Sequence, residues 1–113
     1  MAPSLSELWS PTGIPADLPD GTRRRAVVRG LPLVLVRVEG RWYALDDTCP
    51  HRGGELSQGD LSGHLLHCPL HAWPFDVRTG CSPRQPGASV GIHEVAVKDG
   101  ELQVRPSVNL RAH

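Results

Sequence analysis

"LPLVLVRVEGRWYALDD", Leu31 to Asp47, is the stretch whose reading decides the fold. Its first eight residues are apolar except for Arg37, so Leu31 to Val38 reads as a strand buried on both faces rather than a half-exposed one. Glu39 and Gly40 then fit a tight turn into "RWYALDD", which completes a hairpin. Upstream, Thr22 to Val28 is strand-like and joins through a turn at Arg29 and Gly30. Downstream, "GIHEVAVKDGELQV" sets Asp99 and Gly100 between two valine-rich runs, a strong two-residue hairpin signal. The early "SLSELW" fits a short strand or a turn equally. Twelve glycines and eleven prolines leave no room for a long amphipathic helix. The pattern predicts an all-β domain, an antiparallel β-sandwich or small barrel.

Bulk composition narrows the function classes. At 113 residues with 39% apolar content, the chain is expected to form one domain around one modest core. Twelve basic residues balance twelve acidic ones, which argues against nucleic acid or an anionic membrane as the partner. The one basic run, Arg23 to Arg25, reads as a solvated strand edge that discourages edge pairing. Three cysteines cannot close a disulfide framework and point to a reducing compartment. "MAPSLSELWSPTG" lacks a basic n-region and an apolar h-region, and the apolar run behind the arginines is broken by Arg29, Gly30 and Pro32 and closed by Arg37. No stretch approaches the ~20 apolar residues of a membrane span, so a cytoplasmic protein is expected.

Two windows break the β pattern: "CPHRGG", Cys49 to Gly54, and "HLLHCPLH", His64 to His71. They hold two of the three cysteines and four of the six histidines, and proline follows each cysteine. The candidate ligands run Cys49-x-His51, sixteen residues, then Cys68-x-x-His71. Each window reads as a loop between strands, "HLL" being a short apolar strand into the second. A Cys and a His from each of two neighbouring loops can converge on one inorganic site, and this donor set suits zinc or an iron-sulfur cluster. His64 and His67 read as ordinary strand residues, His93 as half-buried packing in a Val90 to Val97 strand, and Cys81 as a small residue in the irregular loop Gly80 to Gly87. Trp9 and Trp42 are core candidates.

The pair "CPH" and "CPLH" in the spacing C-x-H-x16-C-x-x-H resembles the Rieske family, and the likeness extends through "GRWYALDDTCPHRGGELSQGDLSGHLLHCPLHAWPFDVRTG", Gly40 to Gly80. The resemblance implies a Rieske-type β-sandwich with a two-loop cluster-binding subdomain, one domain over residues 1–105 with the cluster segment at 46–81, and a frayed tail at 106–113. It also implies a [2Fe-2S] cluster, with Cys49 and Cys68 on the inner iron and His51 and His71 on the outer one. Zinc fingers group like ligands together, whereas here each pair is mixed, so the cluster is preferred to a zinc-stabilised interaction module. The chain has no length after the cluster segment for a catalytic oxygenase domain. A carrier is therefore expected rather than an autonomous enzyme. It is expected to be a monomer that takes one electron from an NAD(P)H-dependent flavin reductase and passes it to a terminal oxygenase, docking near Arg52, Leu70 and Glu55. The alternative is a small electron-transfer subunit of a larger reductase, resembling that of assimilatory nitrite reductase.

Two neutral imidazoles in place of thiolates make an added electron less costly and lift the potential from about −400 mV into roughly −150 to +300 mV. Proteins of the cytochrome bc type carry a disulfide at the positions of Gly54 and Leu70, and hydroxyl donors at those of Trp73 and Phe75; none of these is present. Two hydrogen bonds to a charged group contribute about 3 to 6 kcal/mol together, which at about 59 mV per 1.4 kcal/mol sets an upper bound near 130 to 250 mV on the lowering. Ala72 stands where this group of ferredoxins usually has glycine, and Pro74 where it has a polar residue. The expected midpoint is about −150 mV, the low end of the Rieske range; a redox titration returning a value above about +100 mV would exclude the low-potential class.

Overall fold

A computed structural model describes residues 9–50, 53–70, 72–85 and 87–106. Within these the chain runs through β1 (Ser10–Pro15), β2 (Arg23–Val28), β3 (Leu31–Val38), β4 (Arg41–Asp46), a 3-10 turn (Leu56–Gln58), β5 (Leu61–Ser62), β6 (Leu65–His67), β7 (Pro74–Asp76), β8 (Ile92–Lys98) and β9 (Glu101–Arg105). Six strands form one antiparallel sheet in the order β1-β9-β8-β4-β3-β2, and β5-β6-β7 form a small second sheet. The two edge strands β1 and β2 pack against each other, so the large sheet is a nearly closed barrel. Among the described residues no helix is long and apolar enough to cross a membrane.

The three predicted hairpin turns are present. Arg29-Gly30, Glu39-Gly40 and Asp99-Gly100 take positive φ at both central residues, from 52° to 80°. This is the mirror-image turn whose twist matches paired strands. Arg29 and Glu39 adopt it without a side chain suited to the left-handed region, because the flanking ladders, Val28 opposite Leu31 and Val38 opposite Arg41, hold the strands in register.

β3 is the wall between two packed clusters, where composition alone predicts one core. Leu33 and Leu35 point into the barrel with Ile14, Ala26, Val28, Ala44, Leu102 and Val104. Val34, Val36 and Val38 point the other way, onto Leu45, Leu56, Leu66, Phe75, Val77 and Val90. Alternation of side chains along the strand sends successive residues to opposite faces, and an unbroken apolar run therefore needs a partner on each. The second face is covered by the loops and the small sheet that carry Cys49 and Cys68.

Sequence reading missed β1, because "SPTGIP" holds two prolines and a glycine. The strand starts at Ser10, and residues 4–8 of "SLSELW" lie outside the described residues. Proline is tolerated here because β1 is hydrogen-bonded only to β9. Where the ladder is interrupted between Pro11 and Pro15, side chains replace it: Thr12 Oγ1 donates to Leu102 O at 2.8 Å and Gly13 N to Glu101 Oε2 at 2.7 Å. Arg37 secures the β1–β2 link, with Nη1 donating to Ala16 O (2.7 Å) and Leu18 O (3.0 Å) and its guanidinium lying over Trp42. Residues 107–113 of the expected tail lie outside the described residues. Replacing Leu35 by Ala opens a cavity in the barrel core and is expected to lower unfolding stability by about 2–5 kcal/mol, whereas Val97→Ala on the exposed face changes it by less than about 0.5 kcal/mol in the same denaturant titration.

Candidate metal centre

Two loops lie side by side, one leaving the barrel and the other the small sheet. The first departs from β4, and its neck is a short ladder: Leu56 N donates to Asp47 O at 2.7 Å, and Thr48 bridges Glu55. The second joins β6 to β7, and its neck is the pair His67 and Pro74. Pro74 can close this neck because the missing N–H falls at the end of the ladder.

Both loops make the same turn. Cys49 N donates to Gly54 O (2.8 Å), and Gly53 N donates to Cys49 O (2.8 Å). In the second loop Cys68 N donates to Trp73 O (2.9 Å), and Ala72 N donates to Cys68 O (2.8 Å). The residue four after each cysteine takes a left-handed backbone, Gly53 at φ 76° and Ala72 at φ 58°. The two halves are thus related turns, each holding its cysteine at the first position. Cys49 and Cys68 are 1% and 2% exposed, packed into the second core, and not joined by a disulfide. The turns also meet. A Cβ on Gly54 would lie 3.2 Å from Cys68 Sγ and 3.1 Å from Leu70 Cγ, so positions 54 and 70 face each other across the gap between loops.

Two buried thiols on matched, touching turns fit a group that bridges both loops. Thiolate donors in an apolar pocket suit an iron-sulfur cluster. His51, His71 and Arg52 lie outside the described residues. Leu70 stands at the rim, 55% exposed, and Glu55 is exposed beside it. Trp73 is half-buried against the core and Phe75 is fully buried, so this side of the site carries an apolar cover.

A model of the Rieske [2Fe-2S] domain matches residues 8–102. The chain belongs to the Rieske family. Its cofactor is accordingly a Rieske [2Fe-2S] cluster. The chain is 37% identical over 102 residues to ferredoxin CarAc of Metapseudomonas resinovorans, covering 88% of this chain and 95% of that one. It is 38% identical over 82 residues to the ferredoxin component of the naphthalene 1,2-dioxygenase system of Pseudomonas aeruginosa, covering 70% and 79%. Among solved structures, the complex of reduced oxygenase and oxidised ferredoxin in carbazole 1,9a-dioxygenase contains a chain 38% identical to this one. That match has a TM-score of 0.78 and covers 87% of this chain and 93% of that one. The Rieske fold of these relatives is the barrel plus three-stranded sheet described above.

In the Rieske structure His64, His93 and Arg25 depart from their sequence readings, whereas His67 is a strand residue as expected. His64 lies in the turn before β6, its Nε2 3.9 Å from Glu39 Oε1 and its ring edge-on to Tyr43. His67 is on β6, with Nδ1 3.3 Å from Asp60 O. His93 is more than packing: its side chain is 3% exposed and Nε2 lies 2.8 Å from Asp46 Oδ1, which ties β8 to β4. Its strand runs from Ile92 to Lys98 rather than Val90 to Val97. Cys81 is exposed, its N–H donating to Thr79 Oγ1 at 3.2 Å. Beyond β7, Arg78 donates Nε and Nη2 to Asp76 at 3.0 and 2.8 Å. These bonds hold the Asp76 carboxyl below its ordinary pKa against the opposing effect of burial. Arg25 is not a merely solvated edge residue, because its Nε lies 3.0 Å from the buried carboxylate of Asp47. That pairing spans 22 residues, and no local pattern signals it.

A left-handed alanine is disfavoured by about 1–2 kcal/mol, and glycine's extra unfolded-state entropy offsets about 0.4–1 of this. Ala72→Gly is therefore expected to raise the thermal midpoint by about 2–5 °C, read by differential scanning of wild type and variant side by side. An unchanged or lowered midpoint would show that Ala72 is not strained.

Proposed function

We propose that Cys49 and Cys68 ligate one iron of the cluster and His51 and His71 the other, and that the chain receives its electron from an NAD(P)H-dependent flavin reductase and delivers it to a terminal oxygenase. The chain is an electron carrier of the ferredoxin type. When bound, the cluster supplies one-electron acceptance and donation. The protein supplies the rest. Cys49 and Cys68 bring thiolates into a pocket closed by Leu56, Leu66 and Phe75, which keeps water from the sulfur side. Leu70 and Glu55 form the rim toward which a partner docks, and Arg52 is assigned to the same docking region from the sequence. An exposed leucine beside the site is an apolar contact at the point where electron transfer needs close approach.

The single observation that carries this reading is the pair of buried cysteines on matched turns that touch at Gly54 and Leu70. The near full-length match to ferredoxin CarAc favours the separate carrier over the small reductase subunit. We place the protein in the cytoplasm as a monomer, with residues 1–105 as one Rieske domain.

Anaerobically purified protein is expected to be coloured and to show a rhombic EPR signal of the Rieske type on dithionite reduction. Cys49→Ser, Cys68→Ser, His51→Ala and His71→Ala should each abolish that signal, while Cys81→Ser keeps it. Colourless protein carrying zinc would overturn the assignment. A large subunit that stays bound through purification would replace the separate carrier by the reductase subunit.

A further inference from the structure

The carboxylate of Asp47 has no part in the function above, yet it stands two residues before Cys49, in the neck of the first loop. It is 1% exposed. Its oxygens accept from Ser57 N (2.7 Å to Oδ1), Ser57 Oγ (3.1 Å to Oδ2) and Arg25 Nε (3.0 Å to Oδ2). Arg25 and Asp47 form an ion pair across the neck of the loop. A buried anion is tolerated only where it is paired and hydrogen-bonded.

The three donors play different parts. Ser57 supplies two bonds from within the same loop, and Leu56 N bonds the Asp47 carbonyl, so the neck is already closed by neighbours. Arg25 alone brings charge. It comes from β2, an edge strand separated from β4 by β3 and supplying no ligand. Its side chain is 44% exposed, so removing it opens no cavity in either core.

Charge matters here because of what the site does. Accepting an electron makes the region around Cys49 one unit more negative, and a fixed anion in a poorly screened interior opposes that. Arg25 cancels this opposition.

We propose that Arg25 is a positioning residue for electron transfer whose guanidinium, by balancing the buried Asp47 carboxylate, holds up the reduction potential of the cluster at Cys49. This role rests on the ligand assignment made under the proposed function. A purely structural Arg25 would affect thermal stability without moving the midpoint.

The test compares holo-protein of wild type, Arg25→Gln and Arg25→Lys by iron and sulfide content, EPR of the reduced state, and midpoint in a mediated dithionite titration. Arg25→Gln is expected to keep the cluster and to reduce about tenfold less favourably, a downward shift of about 59 mV for one electron. Arg25→Lys keeps the charge and should titrate with wild type. An unchanged midpoint in Arg25→Gln, loss of its cluster, or a midpoint in Arg25→Lys as low as that of Arg25→Gln would each overturn the proposal. Wild-type protein without a Rieske EPR signal would instead overturn the ligand assignment.

Discussion

A β-strand that is apolar on both faces must be covered on both, and the demand falls on Leu31–Val38. Leu33, Val34, Leu35 and Val36 are fully buried, and withdrawing each such side chain from water contributes about 1.5–3 kcal/mol. The barrel wraps one face. No comparable sheet is left for the other, so the loops around Cys49 and Cys68 and the three short strands beneath them close over Val34, Val36 and Val38. The cysteines are thereby placed in an apolar interior because the barrel wall needs a second cover. Site and fold share one core.

The second cover is unusual in being made of turns more than strands. Its rigidity comes from a hydrogen-bond pattern used twice, around Cys49 and around Cys68, each with a left-handed residue at the fourth position after the cysteine. Repetition gives the two thiols equivalent backbone settings, which suits a single group spanning both loops. The two copies differ in strain, since glycine occupies the left-handed position in the first and alanine in the second. Strain of this kind persists where surrounding structure holds it, and here the β6–β7 neck and the packed Phe75 do so.

Electrostatics divides along the same line. The apolar cover around the thiols excludes charge, and the one buried carboxylate among the described residues, Asp47, sits at the neck, where a guanidinium from the barrel edge reaches it. At the end of β7, Asp76 and Arg78 form their own bidentate pair. The rim at Leu70 carries an exposed apolar side chain, with the charged Glu55 beside it.

How much was legible depends on the range of each interaction. The three hairpins, the doubly buried strand and the two windows that hold Cys49 and Cys68 were readable because turn chemistry and side-chain alternation act within a few residues. β1 was not, since its prolines are tolerated only at an edge and its missing ladder bonds are replaced by Thr12 and Gly13 reaching residues 90 and 88 positions away. The His93–Asp46 and Arg25–Asp47 pairs escaped for the same reason: a charge looks solvated until another segment buries its partner. Adjacent residues were enough for every strand of the large sheet except β1 and for the family. Only the tertiary structure decided that one strand separates two cores, that both cysteine turns have the same geometry, and that Arg25 belongs to the neck of the first loop, because contacts between distant segments exist only once the sheet has closed.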